Sequence, residues 1–278
     1  MSGTGLLQAS REGREILSYS GRMQEGIPSG YGAYQVVGGT TLTGNFQDGR
    51  LEGDHVVVSI GRGFRYEGGW ANDRPEGHGT MVRPDGGSYE GEWHVGKREG
   101  RGTYTWRSGN RYVGEWNADK RSGRGVIIFA DGGRLEGNWL EGKLSGLAEQ
   151  THPSGERYEG EFRDGKRYGH GVLLLPNGAR VEANWEDDLP NGAGSVIGVS
   201  GARFDGELRS GRPEGKGVAT IADGSRHDGE WHEGFPNGEG TLTRPGESPF
   251  TGTWLHGCFF ADGRRASFAL KPVKCPDQ

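Results

Sequence analysis

A five-residue pattern of alternating apolar and polar positions recurs along this chain every 23 residues. In Tyr112-Val113-Gly114-Glu115-Trp116, an aromatic ring, a glycine and a second aromatic ring occupy alternate positions. Residues two apart lie on the same face of a β-strand, so each copy predicts a strand with one aromatic and one polar face. The copies begin at Tyr19, Leu42, Tyr66, Tyr89, Tyr112, Leu135, Tyr158, Val181, Phe204, His227 and Phe250, with one slip of a single residue after Leu42. This period predicts a repeat array of about eleven units.

A second apolar run in each copy predicts a return strand. We number each repeat from the residue that opens it, which is position zero. In the repeat of Tyr112, a polar loop at residues 117–122 precedes glycines at positions eleven and thirteen, Gly123 and Gly125, and the run 126–129. Each repeat is therefore predicted to be one β-hairpin. Tight turns are expected at the dipeptides Asp85-Gly86, Ser108-Gly109, Asp131-Gly132, Asn177-Gly178 and Asp223-Gly224, which tolerate positive φ angles.

Glycine inside a strand normally weakens it, so its regular phase needs a reason. The glycines at positions two, eleven and thirteen are expected on the same face as the rings at positions zero and four. Without a side chain they leave shallow notches in which a neighbouring ring can lie flat. We therefore predict that packing of aromatic rings on glycine replaces a second layer of structure. An alternative is that the glycines only mark loops.

The composition excludes several classes of protein. Only 31% of the residues are hydrophobic, while 56 of the 278 are glycine. Glycine does not recur every third residue as in collagen, and the aromatic residues recur in phase, which is not typical of disorder. The formal charge of −5 with both signs interleaved argues against nucleic acid and anionic membranes as partners. No apolar run is long enough to span a bilayer, and the first 20 residues lack a secretory apolar segment, so a soluble intracellular protein is expected.

The two cysteines and the eight histidines give no clear chemistry. Cys258 and Cys275 are too few for a disulfide framework, and we expect two free thiols in a reducing compartment. The histidines are scattered over different positions of the repeat, and no paired motif forms a metal site. No nucleophile or phosphate-binding motif is present either. The sequence predicts a protein that is not an enzyme, with no catalytic residue, no metal and no cofactor.

The polar face also carries periodic charges. Arginine recurs just before position zero, as at Arg134, and Glu or Asp recurs at position one, as at Glu136. One hypothesis is a charged docking strip. The alternative, which we favour, is a solvated ladder of salt bridges that adds little stability per pair.

Tyr-x-Gly-x-Trp followed by Gly-x-Gly every 23 residues resembles the MORN repeat (membrane occupation and recognition nexus) over residues 19–263. The resemblance implies an elongated, single-layer, twisted antiparallel β-sheet whose aromatic residues line a groove. Proteins similar to this one serve as scaffolds in cytoskeletal or membrane-associated assemblies. The resemblance also implies one of three kinds of binding: a partner peptide or helix in the groove, self-association into elongated dimers, or phosphoinositide binding. Ala148, Ala183, Leu208 and His55 depart from the pattern, so packing is expected to be less uniform near residues 148 and 181–208.

The sequence therefore predicts three segments and one main function. Residues 1–18 are expected to be an N-terminal cap or a frayed segment, 19–263 the array, and 264–278 a basic tail. We expect a cytoplasmic, cytoskeleton- or membrane-associated interaction scaffold. Its alternatives are a self-associating protein, dimeric through terminal hairpins, and a weak binder of anionic lipid through Arg264, Arg265, Lys271 and Lys274. The predicted partner-binding groove consists of Tyr66, Trp70, Tyr89, Trp93, Tyr112, Trp116, Trp139, Tyr158 and Trp231.

Overall fold

The computed structural model describes residues 2–11, 14–261, 263–270 and 275, and these residues form strands and turns without a helix. The chain divides into two compact units, Met1–Gly142 and Lys143–Gln278. Within each unit every strand pairs in antiparallel fashion with the strand that follows it in the sequence. The expected all-β fold of tandem hairpins is confirmed.

The first unit contains β1, both strands of the first five repeats and the first strand of the sixth. They are β1 Ser2–Arg11, β2 Arg14–Gln24, β3 Ile27–Val36, β4 Thr40–Gln47, β5 Arg50–Ile60, β6 Phe64–Ala71, β7 Arg74–Val82, β8 Ser88–His94, β9 Lys97–Thr105, β10 Arg111–Asn117, β11 Lys120–Ile128 and β12 Arg134–Leu140. From β2 onward each repeat contributes an even-numbered strand that carries positions zero to four and an odd-numbered return strand.

The second unit continues the same pattern to the C-terminal part of the chain. Its strands are β13 Lys143–Thr151, β14 Arg157–Arg163, β15 Lys166–Leu174, β16 Arg180–Glu186, β17 Leu189–Ile197, β18 Arg203–Arg209, β19 Arg212–Thr220, β20 Arg226–His232, β21 Phe235–Thr243, β22 Phe250–Leu255, β23 Cys258–Ala261 and β24 Arg264–Ser267.

The tight turns lie at the opposite end of the hairpins from the place that the sequence suggested. The predicted polar loop 117–122 is a two-residue turn at Ala118 and Asp119, whose φ angles are 45° and 72°. Both residues are in the left-handed region that a two-residue hairpin turn requires, so β11 begins at Lys120. Asp131-Gly132 instead belongs to a wider loop that joins successive repeats. Phe129 N–H donates to Gly133 O at 2.8 Å there, and of the dipeptide only Gly132 has a positive φ.

A β-bulge interrupts the hairpins at the same place in most repeats. In the pair β10–β11, Gly114 faces Gly125, but Glu115 already faces Ser122. Two residues of β11, Gly123 and Arg124, therefore have no counterpart on β10. The extra residues bend the return strand and give Gly123 a φ of 54°, which explains the glycine at position eleven.

Strands extend to both ends of the described chain. At the N-terminus, where a cap or a frayed segment is expected, residues 2–11 form β1, which pairs along its length with β2. At the other end, residues 264–267 of the predicted tail form β24, which pairs with β23. A β-strand satisfies the polar groups of the backbone, which a free tail would leave to water.

The prediction of two free thiols is also wrong. Cys258 and Cys275 form a disulfide, with their Cα atoms 5.8 Å apart, a normal separation for such a bond. The disulfide places residue 275 next to β23, which the sequence spacing alone could not show. The argument from cysteine usage for a reducing compartment therefore no longer holds.

Two kinds of feature are absent from the described part of the chain. Its helix-free structure contains no helical segment that could cross a membrane. Its His, Cys, Asp and Glu residues form no group of three or more that could hold a metal ion.

Candidate functional site

The aromatic face is the sheet surface that carries positions zero, two, four, nine, thirteen and fifteen of the repeats. The Tyr112 ring lies directly over Gly114 and Gly125, and a Cβ atom at either glycine would overlap it. Its hydroxyl donates to Glu115 O at 2.9 Å, and burial raises the pKa of Tyr112 to about 12, so it remains a donor at neutral pH. The predicted packing of rings on glycine is confirmed for positions two and thirteen.

Position eleven does not follow this prediction. A Cβ atom at Gly123 would meet the carboxylate of Glu115 on the polar side, not an aromatic ring. The reason is the bulge, which rotates the backbone of Gly123 away from the direction of a regular strand. The Glu115 carboxylate fills the vacant space and accepts from Arg124 N–H at 3.3 Å.

The tryptophans at position four connect each repeat to the one before it. Trp116 Nε1 donates to Gly102 O at 3.2 Å, and its ring packs edge-on against Tyr89 of the preceding repeat at a centroid distance of 5.4 Å. The bond recurs with a constant spacing of 14 residues. It joins Trp93 to Gly79, Trp139 to Gly125, Trp185 to Gly171, Trp231 to Gly217 and Trp254 to Gly240. This regular bond ties the repeats of each unit together.

Packing is irregular beside the slipped repeat. Trp70 Nε1 is buried without a hydrogen-bond partner among the described residues, and the strand register shifts nearby, between Gly53 and Val56. Ala183 and Leu208, by contrast, are both buried. Ala183 is tolerated because Val181, not a tyrosine, occupies position zero of its repeat.

The nine residues of the predicted groove lie at positions zero and four of their repeats, on the aromatic face. Most of them are too buried to form a contact surface. Eight have no more than 6% of their area exposed, and only Trp70 is half-buried. They form the floor of the aromatic face. That a partner touches these rings stays a prediction. Half-buried side chains that vary between repeats, such as Trp106, Ile127 and Phe129, form its accessible surface in the first unit.

Position nine, which the sequence analysis missed, determines what lies on top of the rings. It pairs with the aromatic residue at position four, as Arg121 does with Trp116. The sequence signal is that proline or arginine occupies this position in eight of the eleven repeats. Its occupants are Pro28, Leu51, Pro75, Arg98, Arg121, Leu144, Arg167, Pro190, Pro213, Pro236 and Phe259.

The three arginines at position nine stack on aromatic rings of their own or the next repeat. The guanidinium carbon lies 4.3 Å from the Trp116 ring centre for Arg98 and 4.1 Å from that of Trp139 for Arg121. For Arg167 the nearest ring is Tyr158, at 4.7 Å. Stacked guanidinium groups are attracted by the ring quadrupoles and remain available for hydrogen bonds at their edges.

In the second unit a segment of the chain itself covers part of the aromatic face. Residues 268–270 follow β24, and Phe268 packs against His227 and Trp231 with centroid distances of 5.7 and 6.2 Å. Phe268 N–H donates to Gly257 O at 2.9 Å. The disulfide joins β23 to residue 275, beyond this segment.

Next to the covering segment, the aromatic face of the second unit contains an apolar cavity of about 540 Å³. Leu270 forms one wall, and its other apolar walls include Val196, Phe204, Pro213 and Phe235. The cavity shows that the covering segment does not fill the whole face.

The polar face carries the predicted ladder of ion pairs. Arginines just before position zero lie 2.6 to 3.2 Å from acids at position one, and at least 38% of every side chain is exposed. The pairs are Arg65–Glu67, Arg134–Glu136, Arg157–Glu159, Arg180–Glu182, Arg203–Asp205 and Arg226–Asp228. Exposed pairs of this kind contribute little stability, which agrees with the interpretation that we favoured.

The residues predicted to contact lipid are only partly described. Arg264 is exposed, but its guanidinium stacks on Phe250 at 4.0 Å and donates to Ser248 O and Pro249 O. Arg265 is exposed, while Lys271 and Lys274 lie outside the described residues. Lipid contact by these residues stays a prediction.

Among solved structures, several similar chains are TCP-type domains. One is the TCP domain of Drosophila melanogaster SAS-4 in complex with a proline-rich motif of Ana2, at 13% identity and a TM-score of 0.36, covering 57% of this chain and 90% of that one. Another is the TCP10 domain of Danio rerio CPAP, at 14% identity and 0.39, covering 72% and 99%. TM-scores this low support no conclusion about function. No curated protein matches the sequence.

A family model for the MORN repeat matches this chain eight times. The matches cover residues 19–41, 66–88, 89–111, 112–134, 136–157, 158–180, 204–226 and 227–247, which is more than half of the chain. The predicted repeats that begin at Leu42, Val181 and Phe250 are not matched, although all three form hairpins. MORN repeats are a non-enzymatic repeat family. This chain belongs to the MORN repeat family.

Proposed function

We propose that this protein is a non-enzymatic interaction scaffold whose aromatic face holds an extended segment of a partner protein. The observation that supports the proposal is the position of Phe268 in the second unit. Phe268 packs on the ring of His227 at position zero and on that of Trp231 at position four, and only 3% of the area of Phe268 is exposed. The face is therefore built so that a short segment with an apolar side chain can bury that side chain on it.

The first unit offers the same rings with variable side chains above them. Trp106, Ile127 and Phe129 are half-buried, and Arg98 and Arg121 stack on the floor beside them. Apolar side chains supply affinity when they leave water, and cationic groups at fixed positions supply orientation. We infer that the residues that differ between repeats choose the partner, while the repeated rings hold the sheet together.

The experiment compares two adjacent residues that lie on opposite faces of β11. Ile127 pairs with position zero of two repeats and lies on the aromatic face, whereas Val126 lies on the polar face. Both are half-buried, so glutamate at either position should cost the fold a similar amount. We expect purified partners or selected peptides to lose binding to Ile127→Glu and to keep binding to Val126→Glu. Equal retention by both folded variants would count against the aromatic face.

A second candidate function is self-association through β1. This ten-residue strand pairs with β2, and Leu6 and Leu7 are exposed to 62% and 41%. Long edge strands with apolar side chains tend to pair with another chain unless they are protected. Light scattering would show a dimer that Leu6→Lys converts to a monomer. A monomeric wild-type chain would exclude this candidate.

We further propose a cytoplasmic location, with cytoskeletal or membrane-associated assemblies as the place of action. Only the resemblance to other MORN proteins supports it. No structural observation favours lipid binding, and a vesicle flotation assay with anionic lipid tests it directly.

A further inference from the structure

The three arginines on the aromatic face differ in the group that their guanidinium binds. Arg98 forms an ion pair with Asp119, with Nε 2.9 Å from Oδ1. Arg167 forms one with Glu156, with Nη2 3.1 Å from Oε1. Arg121 has no carboxylate within ion-pair distance in the part of the chain that the structure describes. Its Nη2 donates only to the carbonyl oxygen of Gly142, at 2.6 Å.

The missing carboxylate has an identifiable origin in the repeat. Asp119 is at position seven of the repeat that follows Arg98. Asp188 holds the same position after Arg167, where it accepts from the Arg167 backbone N–H at 2.9 Å while the guanidinium pairs with Glu156. After Arg121 this position is Gly142. The turn conformation is the same, with φ of 72°, 69° and 84° at residues 119, 188 and 142. The turn after Arg121 thus has the backbone conformation that carries an aspartate after Arg98 and Arg167, but Gly142 has no side chain there.

The surroundings of Arg121 make an unpaired guanidinium costly. It is half-buried over the rings of Trp139 and Tyr112, and burial lowers the pKa of Arg121. Part of the cost of removing the charge from water has therefore already been incurred in the free protein. A carboxylate that reaches this group gains a charge-assisted bond with a donor that is held in place by stacking and by Gly142 O.

We propose that Arg121 binds a carboxylate of the partner segment, so that the aromatic face of the first unit selects an acidic segment with an adjacent apolar side chain. The carboxylate belongs to an Asp, a Glu or a chain terminus, and the apolar side chain packs towards Ile127 and Phe129 on the same face. This inference rests on the proposed function, because it names the chemistry of the segment that the face would hold.

The decisive variant is Gly142→Asp. A Cβ atom at Gly142 meets nothing within 4 Å, and Asp is found at the two equivalent positions with the same backbone conformation. The new side chain would pair with Arg121 as Asp119 pairs with Arg98. It would therefore block the site without removing a single atom of the aromatic face. Arg121→Met removes the charge and serves as the second variant.

The test uses displayed random linear peptides selected on the full chain. Bound peptides are synthesised, and their affinities are measured by fluorescence polarisation for the wild type, Gly142→Asp, Arg121→Met and Ile127→Glu. We expect the selected peptides to be rich in Asp and Glu and to bind Gly142→Asp and Arg121→Met about tenfold more weakly. Replacing the acid by its amide in the peptide should weaken binding to the wild type equally, with no further loss in Gly142→Asp.

The outcomes separate the two proposals. Peptides that are lost on Ile127→Glu but bind Gly142→Asp as tightly as the wild type, without acidic preference, would overturn the role of Arg121 and leave the scaffold proposal intact. Peptides that no aromatic-face variant affects, or a failure to select any, would overturn both. As a reverse test, Asp119→Gly should free Arg98 and increase the number of acidic peptides that the first unit binds.

Discussion

The imidazole of His227 lies against the ring of Phe268, with the ring centroids 5.7 Å apart and the ring planes 30° from parallel. His227 replaces the tyrosine at position zero and is fully buried, and among the described residues neither of its ring nitrogens has a hydrogen-bond partner. The contact joins the last matched repeat to the segment that covers it. The buried imidazole of His227 therefore lies under the segment of the chain that covers part of the aromatic face.

The first prediction concerns pH. Burial lowers the pKa of His227 from 6.5 to about 4, so protonation favours the unfolded chain. The free energy of unfolding is unaffected by this group above pH 6.5, falls as the pH drops from 6.5 towards 4, and has lost roughly 3 kcal/mol at the lower end.

The measurement for this prediction is urea unfolding at pH 7 and pH 4.5 for the wild type and His227→Phe. Phe204 occupies position zero in the preceding repeat, so a phenylalanine fits the same packing. We expect the variant to lose less stability on acidification than the wild type. The same loss in both proteins would show that His227 does not govern this pH range.

The second prediction concerns the glycine notches. Gly125→Ala should destabilise the fold by about 3 kcal/mol or more, because its Cβ atom would overlap the Tyr112 ring and the close-packed face cannot move it away. Gly198→Ala is the matched control, since its nearest contact would be Ala202 O at 3.7 Å and its φ is negative or extended. Thermal unfolding should place the control near the wild type. A similar loss in both would contradict ring-on-glycine packing.

The third prediction concerns the polar face. Arg134→Ala removes an ion pair with Glu136 whose two side chains are 51% and 64% exposed. We expect the free energy of unfolding to change by less than about 0.5 kcal/mol, because water screens the pair. Chemical denaturation in low and high salt would check this. A loss several times larger, removed by salt, would mean that the ladder is a structural element after all.

The fourth prediction concerns the covering segment. Reduction of the disulfide between Cys258 and Cys275 should destabilise the second unit by about 3 kcal/mol, because it frees a loop of this size in the unfolded chain. The amide proton of Phe268, which is bonded to Gly257 O, should then exchange faster. The double variant with serine at both positions should behave like the reduced protein and should not respond to reductant. Unchanged exchange at Phe268 would show that the segment stays in place without the disulfide.

Most of the repeat could be predicted from its side chains, but the position of the turns could not. Asp131-Gly132 carries the strongest local turn signal, yet the two-residue turn forms at Ala118 and Asp119. Hairpin register determines that choice. Facing glycines at positions two and thirteen bring position four opposite position nine, and the chain must then reverse within two residues. A local preference for positive φ cannot compete with the pairing of a whole strand.

The sequence by itself determined the period, the all-β fold, the alternation of an aromatic and a charged face, and the packing of Tyr112 on two glycines. These properties are local or recur at a fixed spacing, so they can be predicted for every repeat from the sequence of one. The tertiary structure alone decided which groups lie over the rings. The stacking of Arg121 without a carboxylate, the return of Phe268 onto His227 and the disulfide between Cys258 and Cys275 each join residues of different repeats or of the terminal segment. Such contacts depend on the three-dimensional arrangement of residues far apart in the sequence, and the spacing of residues in the sequence does not predict this arrangement.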